Sequence, residues 1–228
     1  MSHRIFDPAT IEKPGLQHPG PAMYFDETSG VFCLVGSRMG AGGSPTEIAV
    51  FTDGACSNNG RAGARGTYGV YFGGGTTIGE GRSIYSKCGT LCDCCLPHTN
   101  QKAELEAVVR AVDEIMPTAD GTMLDDFRSL TRVVIILDSD FVFKAMTDYI
   151  YKWEKNGFKN ARGREVSDSF MFRALQSSIT ELETEHKIQV QFWRVGREFN
   201  GDADNLAKQA FQFPRYNEHA SIYGGDEE

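Results

Sequence analysis

The sequence has no long apolar run, and it has fewer basic than acidic residues. The first of these absences excludes a class of protein, whereas the second is a weaker argument. No stretch approaches the ~18–20 apolar residues that a membrane-spanning helix requires, so we expect no membrane partner. Residues 1–20 lack the apolar core of a secretory signal, and Asp7, Glu12 and the scarcity of arginine argue against a mitochondrial presequence. We therefore expect an intracellular protein, with nucleus, cytoplasm and mitochondrion left open.

Basic residues number 23 against 31 acidic ones, which gives a net charge of −8 and at first argues against a nucleic-acid partner. Net charge is a weak guide, however, because a basic patch on one face is sufficient for binding. Such a patch is indicated at Lys152–Arg164, where five basic residues accompany Glu154 alone. The composition is otherwise that of a globular chain of one domain with an appendage, or of two small domains.

Most of the six cysteines lie in one cluster, in a chain large enough to build its own core, which favours a reducing compartment over a disulfide framework. Four thiols and an imidazole could bind zinc, although the spacing is not that of paired C-x-x-C knuckles. The alternative is a loop of free thiols with a surface histidine. The residues concerned are Cys88, Cys92, Cys94, Cys95 and His98.

The chain divides into three parts. Residues 1–46 form an extension rich in proline and glycine with a possible short β-hairpin, residues 47–213 form the main domain, and residues 214–228 form a tail. In the main domain, three strands with short connections precede alternating helices and strands, which predicts an α/β mixed sheet with helices on its faces. The predicted elements are strands Ile48–Thr52, Thr67–Phe72 and Arg82–Cys88, helix Asn100–Met116, strand Val133–Leu137, helices Phe141–Trp153 and Ser169–Thr184, strand Ile188–Val195 and helix Asp202–Phe211.

Four acids stand where the local pattern calls for a core residue: Asp53, Glu104, Asp138 and Asp204. Singly, each is most simply a turn residue or a helix-terminal acid. Together they would repel one another strongly unless a divalent cation relieved the repulsion, and carboxylate ligands favour Mg²⁺ or Mn²⁺ over zinc. Two such ions ~3.5–4 Å apart are the arrangement used for in-line displacement at phosphorus.

Four segments carry these acids: Phe51–Gly60, Thr99–Glu104, Leu137–Ser139 and Ala203–Ala207. In order, spacing and element type they resemble the four catalytic motifs of type 1 ribonuclease H, over about residues 47–211. The resemblance implies the RNase H-like fold, with a five-stranded mixed sheet of three antiparallel strands followed by two parallel ones.

The implied activity is hydrolysis of the RNA strand of RNA–DNA hybrids, leaving 5′-phosphate and 3′-hydroxyl ends. By the resemblance the four acids would hold two Mg²⁺ ions, with Mn²⁺ as a substitute, and the default oligomeric state is a monomer. A protein distinguishes RNA from DNA through the 2′-hydroxyl, and grips the DNA strand with basic and aromatic side chains. The implied substrate contacts are Asn59, Thr99, Asn100, Gln101, Ser139, Phe141, Tyr149, Trp153, Lys155 and Lys159.

Other interpretations of these residues remain open. Asn59 could belong to a simple turn, and Phe141 and Trp153 could belong to the core. The family's loop histidine is absent between Val195 and Asn200, where Arg197 or Glu198 could partly substitute.

The family's phosphate pocket is also altered. Asp168 stands where that pocket has an asparagine, and Pro97 stands near the position of its arginine. A weakly active or inactive hybrid-binding module is therefore the alternative function. A third hypothesis is a zinc-dependent interaction protein built on the cysteine loop and the N-terminal hairpin.

Overall fold

The computed structural model describes residues 3–11, 22–40, 43–73, 77–78, 82–83, 86–92, 97–116 and 129–214. The strands are β1 (Met23–Asp26), β2 (Val31–Leu34), β3 (Glu47–Ser57), β4 (Arg65–Tyr71), β5 (Thr77–Ile78), β6 (Arg82–Ser83), β7 (Lys87–Thr90), β8 (Arg132–Leu137) and β9 (Gln189–Arg194). The α-helices are α1 (Asn100–Ile115), α2 (Asp140–Lys144), α3 (Ile150–Asn156), α4 (Ser169–Thr184) and α5 (Gly201–Gln209). No helix in these ranges is long and apolar enough to cross a bilayer.

The main sheet has the mixed topology that the sequence predicts. Strands β3, β4 and β7 are antiparallel neighbours, and β8 and β9 follow on the other side of β3 in parallel register. The spatial order is therefore β7–β4–β3–β8–β9, with β3 in the middle. Because β3 and β8 are parallel and adjacent, their carboxyl ends meet at one edge of the sheet.

The third predicted strand, Arg82–Cys88, was wrong in position. Arg82–Ser83 pairs instead with Thr77–Ile78 in a separate two-stranded ladder, and the strand that pairs with β4 is Lys87–Thr90. Local apolar pattern marked the region correctly, but the pairing partner of each segment is decided by long-range register.

The N-terminal hairpin is present and belongs to the same sheet. Strands β1 and β2 pair with each other, and β2 pairs with the beginning of β3 through Phe32↔Ala49 and Cys33↔Ile48. The described sheet thus has seven strands rather than the five expected. Ile5 also joins it through a single parallel bridge to Phe192 on the outer edge of β9.

Each face of the sheet covers its own core, since alternate residues of a strand point to opposite faces. Ile48 and Val50 of β3 face the core beneath α1, α3 and α4, whereas Ala49 and Phe51 face a second core shared with α5. The second core is completed by N-terminal side chains. These are Phe6, Ile11, Ala22, Met23 and Leu34, all buried.

The predicted helix Phe141–Trp153 is an interrupted helical run. A π-helical turn, Ala145–Tyr149, separates α2 from α3, and α3 ends at Gly157 in the left-handed conformation. A π-turn inserts extra backbone into the helix and changes the direction in which later side chains project. The side chains of α3 therefore project in directions different from those that one regular helix over Phe141–Trp153 would give.

Two glycines bring helices directly onto the sheet. A Cβ at Gly54 would lie 2.1 Å from the backbone nitrogen of Glu104, and a Cβ at Gly69 would lie 2.3 Å from the carbonyl oxygen of Ala203. These distances are far shorter than any real contact, so neither position admits a side chain. Gly54 thereby places the beginning of α1 against β3, and Gly69 places α5 against β4.

We expect Gly69→Ala to lower the free energy of unfolding by about 1–3 kcal/mol, because the added methyl forces α5 away from β4. Gly201→Ala is the matched control: it lies at the start of the same helix, and nothing is within 4 Å of its Cβ position. Urea titration of the two variants measures the difference. Equal stability of both variants would contradict the close approach at Gly69.

Candidate active site

Three of the four acids meet where the central strands end. Asp53 lies on β3, Glu104 on the first turns of α1, and Asp138 directly after β8. One carboxylate oxygen from each lies within 4.8 Å of one from each of the others. Asp53 is 3% exposed and Glu104 is 5% exposed, so the group sits largely out of water.

This carboxylate group is poorly compensated by the protein. Glu104 Oε2 accepts a hydrogen bond from the Gly54 backbone N–H at 3.2 Å, but Asp53 Oδ1 and Asp138 Oδ1 are buried without a hydrogen-bond partner. Burial, followed by repulsion from Asp138, raises the pKa of Asp53, and burial with repulsion from Asp53 raises the pKa of Glu104. Such groups become stable as carboxylates only when a cation is supplied.

One protein cation reaches the group from the loop before α5. Arg197 donates from Nε to Asp138 Oδ2 at 2.9 Å, although the side chain of Arg197 is 75% exposed. A single contact from so exposed a side chain is easily exchanged for water or for another anion. Arg197 therefore offsets part of the negative charge of Asp138, and Asp53 Oδ1 and Asp138 Oδ1 remain without a hydrogen-bond partner.

The fourth acid, Asp204, lies beside this group without belonging to it. It sits in the first turn of α5, forms an ion pair with Lys208 one turn later, and adds to the repulsion that raises the pKa of Asp53. Two contacts fix the start of α5: the close approach at Gly69, and a hydrogen bond of 2.9 Å from Asn200 Nδ2 to the Thr52 carbonyl.

Asp140, which follows Asp138 by two residues, forms ion pairs with residues outside the carboxylate group. It pairs with Lys144 at 2.6 Å and lies 3.6 Å from Arg194. Asp140 opens α2 as an acid at a helix N-terminus, where negative charge is stabilising. Ser139 precedes it and caps the helix through its hydroxyl.

The expected RNA contacts surround the beginning of α1. The Thr99 side chain accepts from the Lys102 backbone N–H, and Asn59 Oδ1 accepts from the Asn100 backbone N–H at 2.9 Å. The side-chain oxygen of Asn59 therefore ties its turn to the beginning of the helix, and the side-chain nitrogen of Asn59 takes no part in this contact. Gln101 is exposed beside them.

Lys102, in the same turn of α1, forms a buried ion pair with Asp168. Its Nζ lies 3.0 Å from Asp168 Oδ1, with 8% and 19% of the two side chains exposed. Asp168 precedes α4 in the left-handed conformation and makes no capping hydrogen bond to that helix. The carboxylate of Asp168 is thus directed at a lysine of the first turns of α1, beside the expected RNA contacts.

The aromatic residues expected to grip DNA are partly buried. Trp153 contacts Phe172 with ring centroids 5.1 Å apart, and Tyr149 lies 5.6 Å from Trp153. Phe141 also packs edge-on against Phe172. Each leaves part of its surface exposed. Lys155 and Lys159 follow at the exposed end of α3.

His98 is completely buried rather than on the surface, which corrects that expectation. Its Nδ1 accepts from the Gly66 backbone N–H at 3.0 Å, so its Nε2 donates to the Cys92 carbonyl at 2.9 Å. Both ring nitrogens are therefore occupied, and His98 is not placed to bind zinc. Cys88 is a free thiol of intermediate burial, whereas Cys94 and Cys95 lie outside the described residues.

Comparison with known proteins identifies the family. A model of the RNase H family matches residues 45–212. The chain belongs to the RNase H family. Ribonuclease H1 of Homo sapiens is 28% identical over 166 residues, which cover 71% of this chain and 49% of the human protein.

Other relatives of this RNase H-family chain match over most of their own length. Ribonuclease HI of Haemophilus influenzae is 27% identical over 172 residues, covering 75% of this chain and 93% of that protein. RNase H1 from the halophilic archaeon Halobacterium salinarum, a solved structure, is 20% identical, with a TM-score of 0.44, over 73% of this chain and 98% of that one. By contrast, the chain spans about half the length of the mammalian Ribonuclease H1 proteins.

Some features of the site were missed by sequence reasoning. A glycine inside an apolar strand, as at Gly69, is a signal of close backbone approach and could have been read. The Asn200–Thr52 and Lys102–Asp168 contacts join residues far apart in the chain and leave no local signal in the sequence. The burial of His98 leaves no such signal either.

We expect Mg²⁺ to raise the melting temperature of the wild-type chain, because a ligand that binds only the native state stabilises it. Asp53→Asn should raise the free energy of unfolding of the metal-free protein by about 1 kcal/mol by removing buried repulsion, and should abolish the Mg²⁺ response. Thermal scans with EDTA or Mg²⁺ measure both effects. Asp140→Asn, the control, should keep the response; a response retained by Asp53→Asn would contradict the assignment.

Proposed function

We propose that this chain is a metal-dependent endoribonuclease that hydrolyses the RNA strand of RNA–DNA hybrids, leaving 5′-phosphate and 3′-hydroxyl ends. The observation that carries the proposal is the group formed by Asp53, Glu104 and Asp138, within 4.8 Å of one another and largely buried, in a chain of the RNase H family. The relatives named Ribonuclease H1 and Ribonuclease HI support the same class of reaction.

The residues present fit a divalent metal. Two buried carboxylate oxygens, on Asp53 and Asp138, have no hydrogen-bond partner, and oxygen ligands of this kind suit Mg²⁺ or Mn²⁺. Asp53, Glu104 and Asp138 would hold one ion, and Asp204 would help to hold a second. When bound, Mg²⁺ would supply the positive charge that activates a water and offsets the charge developing on the phosphate.

The remaining residues orient the hybrid. Asn59, fixed through its Oδ1, would direct its amide nitrogen toward a 2′-hydroxyl, and Gln101 would contact the minor-groove edge beside it. Lys155 and Lys159 would meet phosphates of the DNA strand. Arg197 would leave Asp138 when metal and substrate enter, and its guanidinium would then be available to a phosphate oxygen.

The function is tested by a cleavage assay on an RNA–DNA hybrid labelled on the RNA strand, with Mg²⁺, Mn²⁺ or EDTA. We expect metal-dependent cutting of the RNA strand alone, and a loss of about 10²-fold or more in Asp53→Asn. Asp140→Asn is the matched control and should cut normally. Duplex RNA and duplex DNA should remain intact, and cutting of either would contradict the proposed specificity.

The alternative function is a hybrid-binding module with little catalysis. Two observations favour it. The guanidinium of Arg197 already pairs with the carboxylate of Asp138, and the loop between Val195 and Asn200 contains no histidine. Wild-type protein that binds the hybrid and responds thermally to Mg²⁺, yet leaves the RNA strand intact, would establish this alternative.

We expect Asp168→Asn to strengthen hybrid binding, because it releases Lys102 from its carboxylate partner and makes the lysine available to a DNA phosphate. Binding isotherms at several salt concentrations should show a slope of log K against log [salt] that is steeper by about one charge. The variant should also be less stable, since it loses the largely buried ion pair between Lys102 and Asp168.

The control for Asp168→Asn is the double variant with Lys102→Met. If Lys102 is the group that meets the phosphate, the double variant loses the gain in affinity and the change in slope. A gain that persists without Lys102 would show that Asp168 acts on the hybrid directly rather than through the lysine.

A further inference from the structure

Residues His3–Phe6, here called the N-terminal brace, precede the region matched by the family model and reach the helix that carries candidate DNA contacts. The brace lies along the outer edge of β9. Phe192 donates its backbone N–H to the Arg4 carbonyl at 2.7 Å, and Phe6 donates to the Phe192 carbonyl at 2.9 Å. The Gln191 side chain donates to the His3 carbonyl. The backbone of the brace is therefore fixed before any side-chain contact is considered.

From this backbone, the Arg4 side chain enters the protein and is 2% exposed. It donates from Nη1 to Gln176 Oε1 at 2.6 Å and from Nη2 to Glu183 Oε2 at 3.1 Å, both on α4. Its guanidinium also lies 5.8 Å from the centre of the Tyr151 ring, on α3. A planar guanidinium can make these three contacts at once, which an ammonium group cannot.

The network continues from α4 back to α3. Gln176, which accepts from Arg4, donates from Nε2 to Glu154 Oε1 at 3.0 Å. The brace thus reaches α3 at Tyr151 directly and at Glu154 through one amide. These two residues flank Trp153, and Lys155 follows immediately.

We propose that the N-terminal brace positions α3, so that Arg4 sets the orientation in which Trp153 and Lys155 meet the DNA strand. The proposal rests on the proposed function for its second step, the effect on the hybrid. The π-helical turn Ala145–Tyr149 lies directly before α3 and changes the direction in which the side chains of α3 project. On α4, Phe172 packs against Trp153 and Gln176 contacts both Arg4 and Glu154, so that α4 connects the brace to α3.

The first test follows the position of α3 without any activity. The chain has two tryptophans, Trp153 and Trp193, so Trp193→Phe, which keeps an aromatic ring beside Phe6, leaves Trp153 as the only tryptophan that can be excited selectively. In that background, Arg4→Met should change the emission maximum of Trp153 and increase its quenching by iodide, whereas Arg4→Lys should change both less. Unchanged emission and quenching in folded Arg4→Met would overturn the proposal.

The second test measures the effect on the hybrid. Arg4→Met should raise KM for a long hybrid by about threefold to tenfold and leave kcat within about twofold, because the metal-binding acids are not displaced. A short hybrid that does not reach α3 should show no change in KM. Equal changes of kcat and KM on both hybrids would indicate a general loss of structure and would overturn the proposal.

Glu183→Gln is the matched control. It removes the ion pair of Arg4 on α4 but leaves the contacts of Arg4 to Gln176 and Tyr151. We expect a lower melting temperature with unchanged KM and Trp153 emission. If the wild type fails to cut hybrids, the proposed function fails; Trp153 emission and binding of the uncut long hybrid then decide whether the brace positions α3.

Discussion

The contact of α1 with β3 at Gly54 is the constraint on which the rest of the site depends. Because that position has no side chain, the helix backbone lies directly on the strand, and Glu104 reaches both the Gly54 N–H and the Asp53 carboxylate. The third acid, Asp138, needs no separate device, since the parallel pairing of β8 with β3 brings the ends of both strands to one edge. The ordinary geometry of a mixed sheet thus brings Asp53, Glu104 and Asp138 together, although their charges repel one another.

The repulsion among these acids destabilises the fold, so other interactions must offset it. The central strands are buried on both faces, and the second of the two cores is completed by N-terminal side chains such as Phe6 and Leu34. Apolar burial of this extent contributes far more than the repulsion among three acids consumes. The two cores therefore offset a locally unfavourable group of acids, and a bound cation would stabilise that group.

Much of this arrangement could be predicted from the sequence. The element order, the helix Ser169–Thr184 and the strand-end positions of Asp53 and Asp138 follow from local periodicity and from acids in apolar surroundings. Contacts between distant residues could not be predicted. The burial of His98, the pairing of Lys102 with Asp168 and the addition of the hairpin to the sheet each depend on which segments become neighbours in space.

The pairing of Arg4–Phe6 with β9 means that the boundary of sequence similarity is not a boundary of the folded structure. A fragment trimmed to residues 45–212 would present the bare N–H and C=O groups of β9 next to an uncovered apolar face. An open strand edge of this kind is a template for pairing with another chain. The N-terminal residues therefore cover part of the outer edge of β9 and one apolar face of the sheet, and a fragment meant to retain both cores would have to include them.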